Sequence, residues 1–188
     1  MKKILLVLAS LMGALPLLSQ SSDQILSIIE KSAAEHSVYS SRFSEVRTPA
    51  SKGQKPVTLK GQLEYKAPEY LSMDYDNGEK FLLDGDSMTM VRDGNTVSFD
   101  TSKNLLMRGL KHALMYSFSG KLQDLSAEQG ADIEAVKKGN QYVVSLTAKK
   151  KSARGYSRII VRYDLKGALV DMQMDEVTGA STFYSFTD

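Results

Sequence analysis

The sequence predicts a mainly antiparallel β protein whose sheet curls round an N-terminal helix and a central helix. Three observations carry this expectation. In Val57 to Tyr75, the residues Val57, Leu59, Leu63 and Tyr65 share one face of a strand with Gly61, while Thr58, Lys60, Gln62, Glu64 and Lys66 share the other. After Pro68 the alternation resumes, with Leu71, Met73 and Tyr75 set against Ser72 and Asp74; one dry and one wet face describe an antiparallel sheet. Turns at Gly85, Asp93-Gly94, Gly139-Asn140, Asp164 to Gly167 and Thr178-Gly179 then separate further strands of the same kind. The third observation is geometric. About nine or ten strands spaced ~4.8 Å apart make a sheet ~45 Å wide, and two helices of ~10 Å diameter cover less than half of it. The sheet must curl into a barrel or half-barrel, or leave apolar surface for a ligand.

Residues 1–19 read as a cleaved export signal, which leaves a single domain over residues 20–188. Lys2 and Lys3 form its basic start, Ile4 to Leu18 its apolar stretch, and Ser19-Gln20 a cleavage point. The apolar run is short for a membrane span. The chain carries 24 basic and 22 acidic side chains, and the excess is Lys2 and Lys3. A mature chain near neutrality offers little attraction to phosphate backbones, so nucleic acid is not an expected partner.

Ser21 and Gln24 have capping-box spacing, with Asp23 in the first turn. Ile25, Ile28, Ile29, Ala33 and His36 follow at helical spacing, which predicts a helix from Ser22 to about Ser37. Val38 to Arg47 reads as the first strand and Thr48 to Pro56 as an exposed loop. Past the opening pair, strands are expected at Lys80 to Leu83, Met88 to Val91 and Thr96 to Phe99. Leu106, Leu110, Ala113 and Leu114 then fall at i, i+4, i+7 and i+8, a central helix that Gly120 ends or kinks. Strands return from Ala131, through Tyr142–Ala148, Tyr156–Tyr163, Ala168–Asp175 and Ser181–Phe186. Lys149-Lys150-Lys151 reads as a solvated hairpin loop, and Asp84 and Asp86 as turn residues around Gly85.

The chemistry of common enzymes is missing. There is no cysteine, His36 and His112 stand singly on helices, and no Gly-x-Ser-x-Gly or glycine-rich phosphate loop occurs. No catalytic residue, metal or cofactor is expected. What remains is soft apolar lining. Beyond Met1 and Met12 there are Met73, Met88, Met90, Met107, Met115, Met172 and Met174, and methionine adapts its shape to variable apolar partners. The candidate cavity wall comprises Leu59, Leu63, Tyr65, Leu71, Met73, Tyr75, Met88 and Met90 on the early strands. On the late strands it comprises Val144, Leu146, Ile159, Val161, Val170, Met172 and Met174. Ile25, Ile28 and Ile29, with Leu106, Leu110 and Leu114, are the candidate lid.

An ordered set of short features resembles the LolA family of periplasmic outer-membrane lipoprotein carriers. It runs from the export signal and first helix through Phe43-Ser44-Glu45, Gly61-x-Leu63-x-Tyr65-x-x-Pro68, Leu71 to Tyr75, Asp84-Gly85 and Asp93-Gly94. The central helix, Ile159–Asp164 and Asp175 through Gly179 to Phe183 complete it. The resemblance implies an incomplete, half-open β-barrel with helices as a lid over an apolar cavity. It also implies a monomer that shields lipoprotein acyl chains, or a related lipid, in the periplasm. An inner-membrane ABC transporter would load it and an outer-membrane acceptor unload it. An envelope sensor of mislocalised lipoproteins or lipids is the alternative that the same fold allows. Two positions depart from the family: Glu45 stands for its glutamine, and Ala67 before Pro68 for an arginine that helps hold the lid closed. Burying a CH₂ is worth ~0.8 kcal/mol, so a myristoyl- or palmitoyl-length chain could gain roughly 10 kcal/mol.

Overall fold

A computed structural model describes residues 20–150 and 154–187; the expected export signal and Lys151 lie outside them. Its eleven strands are β1 (Val38–Thr48), β2 (Val57–Lys66), β3 (Tyr70–Tyr75), β4 (Lys80–Asp84), β5 (Ser87–Arg92), β6 (Asn95–Asp100), β7 (Ala131–Lys138), β8 (Gln141–Ala148), β9 (Tyr156–Asp164), β10 (Leu169–Glu176) and β11 (Ser181–Thr187). The helices are α1 (Ser22–Ala34), α2 (Leu105–Ser119) and α3 (Leu122–Gln129). The strands form one antiparallel sheet in the order β6-β5-β4-β3-β2-β1-β11-β10-β9-β8-β7. β6 and β7 are its two ends, each with a neighbour on one side, so the barrel is incomplete, an outcome that the width of the sheet allows and the family resemblance implies. Two expectations need adjusting. There are eleven strands, and the helical layer has three members because Gly120 divides the central segment into α2 and α3.

The local chemistry explains the boundaries. Ser21 caps α1 as anticipated: its hydroxyl accepts from the Gln24 amide, and the Gln24 side chain accepts from the Ser21 amide. Gly120 closes α2 with φ 70°. A Cβ there would sit 2.9 Å from both Glu30 Cα and Ile29 O of α1, so conformation and packing both require glycine. Gly120→Ala is expected to cost about 1–3 kcal/mol, read as a lower urea midpoint with an unchanged slope.

Gly61 serves a different purpose. It faces Phe43 on one neighbouring strand and Tyr75 on the other, and those two rings meet edge to face at 5.1 Å. Without a side chain at Gly61 the aromatics close over the strand and fill the space themselves.

The concave face holds the core. Leu63, Tyr65, Leu71, Met73, Leu83, Met88, Val144, Leu146, Ile159, Val161, Tyr163, Met172 and Met174 are all buried there, with Ile25, Leu26 and Ile29 from α1. The helices have already removed most of the dry face from water, and burial on this scale is the dominant stabilising term. At the β7 edge, the Ala135 amide donates to the Ser22 hydroxyl of α1, so a backbone donor on that strand is met by the helix end.

Candidate functional site

Helix α2 roofs the concave face and is fastened to both walls. Asn104 caps its start, accepting from the Leu106 and Met107 amides. Near its end, the Tyr163 hydroxyl of β9 donates to Ser117 O at 2.7 Å, and the Ser117 hydroxyl donates to Ala113 O and contacts Met172 Sδ. Phe118 lies 5.2 Å from the rings of Tyr65 and Phe186 and 5.7 Å from that of Tyr39. Toward the first turns, Lys111 is buried, with Nζ 2.9 Å from Asp86 and 3.5 Å from Glu69. These carboxylates belong to the β4–β5 and β2–β3 turns. Arg108 adds hydrogen bonds to the carbonyls of Thr101 and Ser102.

Ala67 makes no such tie, whereas the cation on the helix does. Asp86 is therefore more than a turn residue. The hydrogen bond from Lys111, reinforced by its charge, holds the Asp86 carboxyl below the ordinary carboxylate range. A depressed pKa means that the pair contributes fully above the unfolded value of about 4 and is lost as pH falls through the lower folded value. Asp86→Asn is expected to raise amide exchange several-fold across residues 105–112 at neutral pH, with little change at the end of α2. In the unaltered chain the same segment should loosen only under acid.

Beneath α2 an apolar cleft of about 260 Å³ remains open. Its roof is Leu110 and Leu114, and its walls include Phe81, Met90, Met174 and Tyr156. One side of it is charged. Glu45 is 3% exposed on the concave face of β1. It accepts from Arg47 Nε and an Arg47 terminal nitrogen at 2.7 and 2.9 Å, from the Tyr75 hydroxyl at 2.6 Å and from the Tyr184 hydroxyl at 3.2 Å. Four donors on one carboxylate account for about all the acceptor capacity it has. Arg47 also reaches Glu79 at 3.2 Å and lies over the Tyr75 ring at 5.4 Å.

Burial, and after it the Glu45 charge, push both phenols upward, keeping Tyr75 and Tyr184 protonated as donors. For Arg47, burial works against the charge, but Glu45 outweighs it and the guanidinium is held more firmly protonated than usual. A second cavity of about 490 Å³ adjoins this one at Tyr156, lined also by Asn104, Leu105, Leu106, Gly109, Gln129 and Gly155. That volume falls in the range of small-ligand sites, ~300–1,000 Å³.

The sequence-selected residues divide into groups. Tyr75, Met90, Met174, Leu110 and Leu114 meet around the cleft. Leu63, Tyr65, Leu71, Met73, Met88, Val144, Leu146, Ile159, Val161 and Met172 pack inside the closed core, and Leu59 joins its margin. Ile25 and Ile29 are fully buried and Ile28 partly so, which makes α1 part of the core's filling.

Two candidates fall elsewhere. Leu106 is 47% exposed at the rim of the larger cavity, because the first turn of α2 projects past the core. Val170 is displaced by a bulge. Leu169 pairs with Tyr163 and Asp171 with Arg162, so the extra residue is Val170 and Leu169 takes the core-facing place. Sequence reasoning missed Arg47, Phe81, Arg92, Tyr156, Glu176 and Tyr184 as cleft residues, and noted Glu45 only as a departure.

Among the described residues, no group of three or more histidines and acids is placed to hold a metal ion. No described helix is long and apolar enough to cross a membrane.

No protein-family model and no curated protein matches the chain. Among solved structures, it is similar to a LolA superfamily protein of Nitrosomonas europaea, at 11% identity and TM-score 0.41 over 90% of this chain and 93% of that one. It is likewise similar to the lipoprotein LppX of Mycobacterium tuberculosis, at 17% identity and TM-score 0.44 over 89% and 95%. A DUF1329 family protein of Desulfovibrio piger gives 16% identity and TM-score 0.43 over 90% and 92%. The fold class itself follows from this chain's own strand order: a mostly antiparallel sheet of eleven strands, left unclosed, with three helices.

Proposed function

We propose that the protein is an extracytoplasmic carrier that takes up the acyl chain of a lipoprotein or lipid beneath α2. The observation that supports this most is the cleft under Leu110 and Leu114, whose apolar lining residues Phe81, Met90 and Met174 belong to the core cluster or pack against it. In this reading the empty carrier is a packed one, and the helices occupy much of the space that cargo would enter. Displacing them offsets part of the ~0.8 kcal/mol gained per CH₂, so cargo is held but can be released. The residues that resemble the LolA family extend the proposal to export by the signal at residues 1–19 and a monomer in the periplasm. The same resemblance extends it to an inner-membrane ABC transporter as loader and an outer-membrane acceptor. No chemical step is assigned to the protein.

The test is native mass spectrometry and lipid extraction of protein purified from an envelope fraction, with displacement of a bound fluorescent fatty acid. Acyl-bearing material and saturable displacement are expected. Protein that carries none and leaves the probe in solution would sink the proposal.

A further inference from the structure

The charges around the cleft are balanced but unevenly satisfied. Glu45, Glu79 and Glu176 line it, and so do Arg47, Lys80 and Arg92. Glu45 and Arg47 answer each other with two short contacts. Lys80 is paired with Asp74 on the wet face at 3.1 Å. Arg92 is different: it is 66% exposed and its contact is Glu79 at 3.7 Å, beyond hydrogen-bond length. Arg47 uses three N–H groups on Glu45 and Glu79 of the five that a guanidinium carries. On β10, at the same cleft, Glu176 accepts from the Thr178 hydroxyl at 3.0 Å, one of the roughly four acceptor sites that a carboxylate has.

An anion alone would meet three carboxylates, and a cation alone would meet two guanidiniums. A head group that carries both charges meets complementary partners on the two walls. Resting on the acyl-carrier reading above, we propose that the cleft takes a zwitterionic amphiphile, the class to which phosphocholine and phosphoethanolamine lipids belong. Arg47 and Arg92 receive the phosphate, Glu176 receives the cationic end, and the acyl chain lies under Leu110 and Leu114. Guanidinium suits the first task because its planar donors match phosphate oxygens. Tyr156 stands on the same cleft beside Glu176 and gives a quaternary ammonium an aromatic neighbour. Glu45 touches no ligand in this arrangement; it is a positioning residue that fixes the Arg47 fork.

The test compares four probes of equal chain length, each below its micelle concentration or solubility limit: dodecylphosphocholine, dodecyl phosphate, dodecylamine and dodecanol. Affinity is read by calorimetry on the full mature chain. Dodecylphosphocholine is expected to bind at least tenfold tighter than each of the others. Both Arg92→Gln, at an exposed position, and Glu176→Gln, at a half-buried one, should cut that preference below threefold. Dodecanol binding as well as dodecylphosphocholine would overturn the head-group assignment while leaving the carrier reading intact. Dodecyl phosphate binding equally well, with Glu176→Gln silent, would replace it with a simple anion site. Binding of none of the four would remove the carrier reading as well.

Discussion

Glu45→Ala is expected to lower the stability of the fold by about 2–4 kcal/mol. Removing one partner of a buried charge pair leaves the other uncompensated, at a typical cost of 3–5 kcal/mol. The lower figure reflects Arg47, which is 30% exposed and recovers part of its hydration. Two further groups lose their acceptor: the hydroxyls of Tyr75 and Tyr184, both on buried residues. Urea titration followed by far-UV circular dichroism measures the effect. Glu45→Gln separates its components, since the amide keeps the volume and one acceptor but loses the charge. It should recover roughly half of the loss. A wild-type midpoint for Glu45→Ala would mean that the network is not formed in solution.

The second large effect is on binding. Leu110→Glu places a carboxylate on the roof of the cleft, beside Leu114 and opposite Met90 and Met174. Bringing an acyl chain against it requires burying that charge or giving up the contact. Affinity for a fluorescent fatty acid is expected to fall at least tenfold. Leu110 is only partly buried, so the variant should fold, as its circular dichroism spectrum will show. Leu165→Glu, at a position 41% exposed in the β9–β10 turn, is the matched control and should stay within twofold. Equal affinities in the two variants would place the acyl site away from α2.

Much of the fold is legible in the sequence because period-2 alternation, sustained along most of a chain, suits little besides a sheet with one buried face. The strand expected at Val38 to Arg47 ends one residue later, and the four expected after residue 140 appear with ends shifted by about a residue. Turn chemistry at Gly139-Asn140, Asp164 to Gly167 and Thr178-Gly179 sets the limits of the later strands. The misses have physical causes that alternation does not carry: hairpin register in one case and partners distant in sequence in the others. Leu169 and Val170 are both apolar, and only the register against β9 decides which one points inward. Glu45 looks like an ordinary polar strand residue until Tyr184, 139 positions away, is brought beside it. Lys111 falls within an apolar helical stripe, and its partners Glu69 and Asp86 sit in turns that resemble any other solvated turn.

The seam between β1 and β11 carries a consequence for how the molecule assembles. On one side of it, β1 to β6 follow one another as neighbouring hairpins, and on the other β7 to β11 do the same. The single strand-to-strand junction between the halves joins Arg42–Thr48 to Ser181–Thr187, a pairing of very high sequence separation. Such closures are slow, because the intervening chain must be ordered before the contact rewards it. A chain emerging N-terminus first can pair one edge of β1 with β2, but it holds the other edge open, from Arg42 to Thr48, until the seven-residue β11 arrives. Until then the two runs of hairpins lack the strand that joins them, and a chain cut before Ser181 should lose the cooperativity of its urea transition.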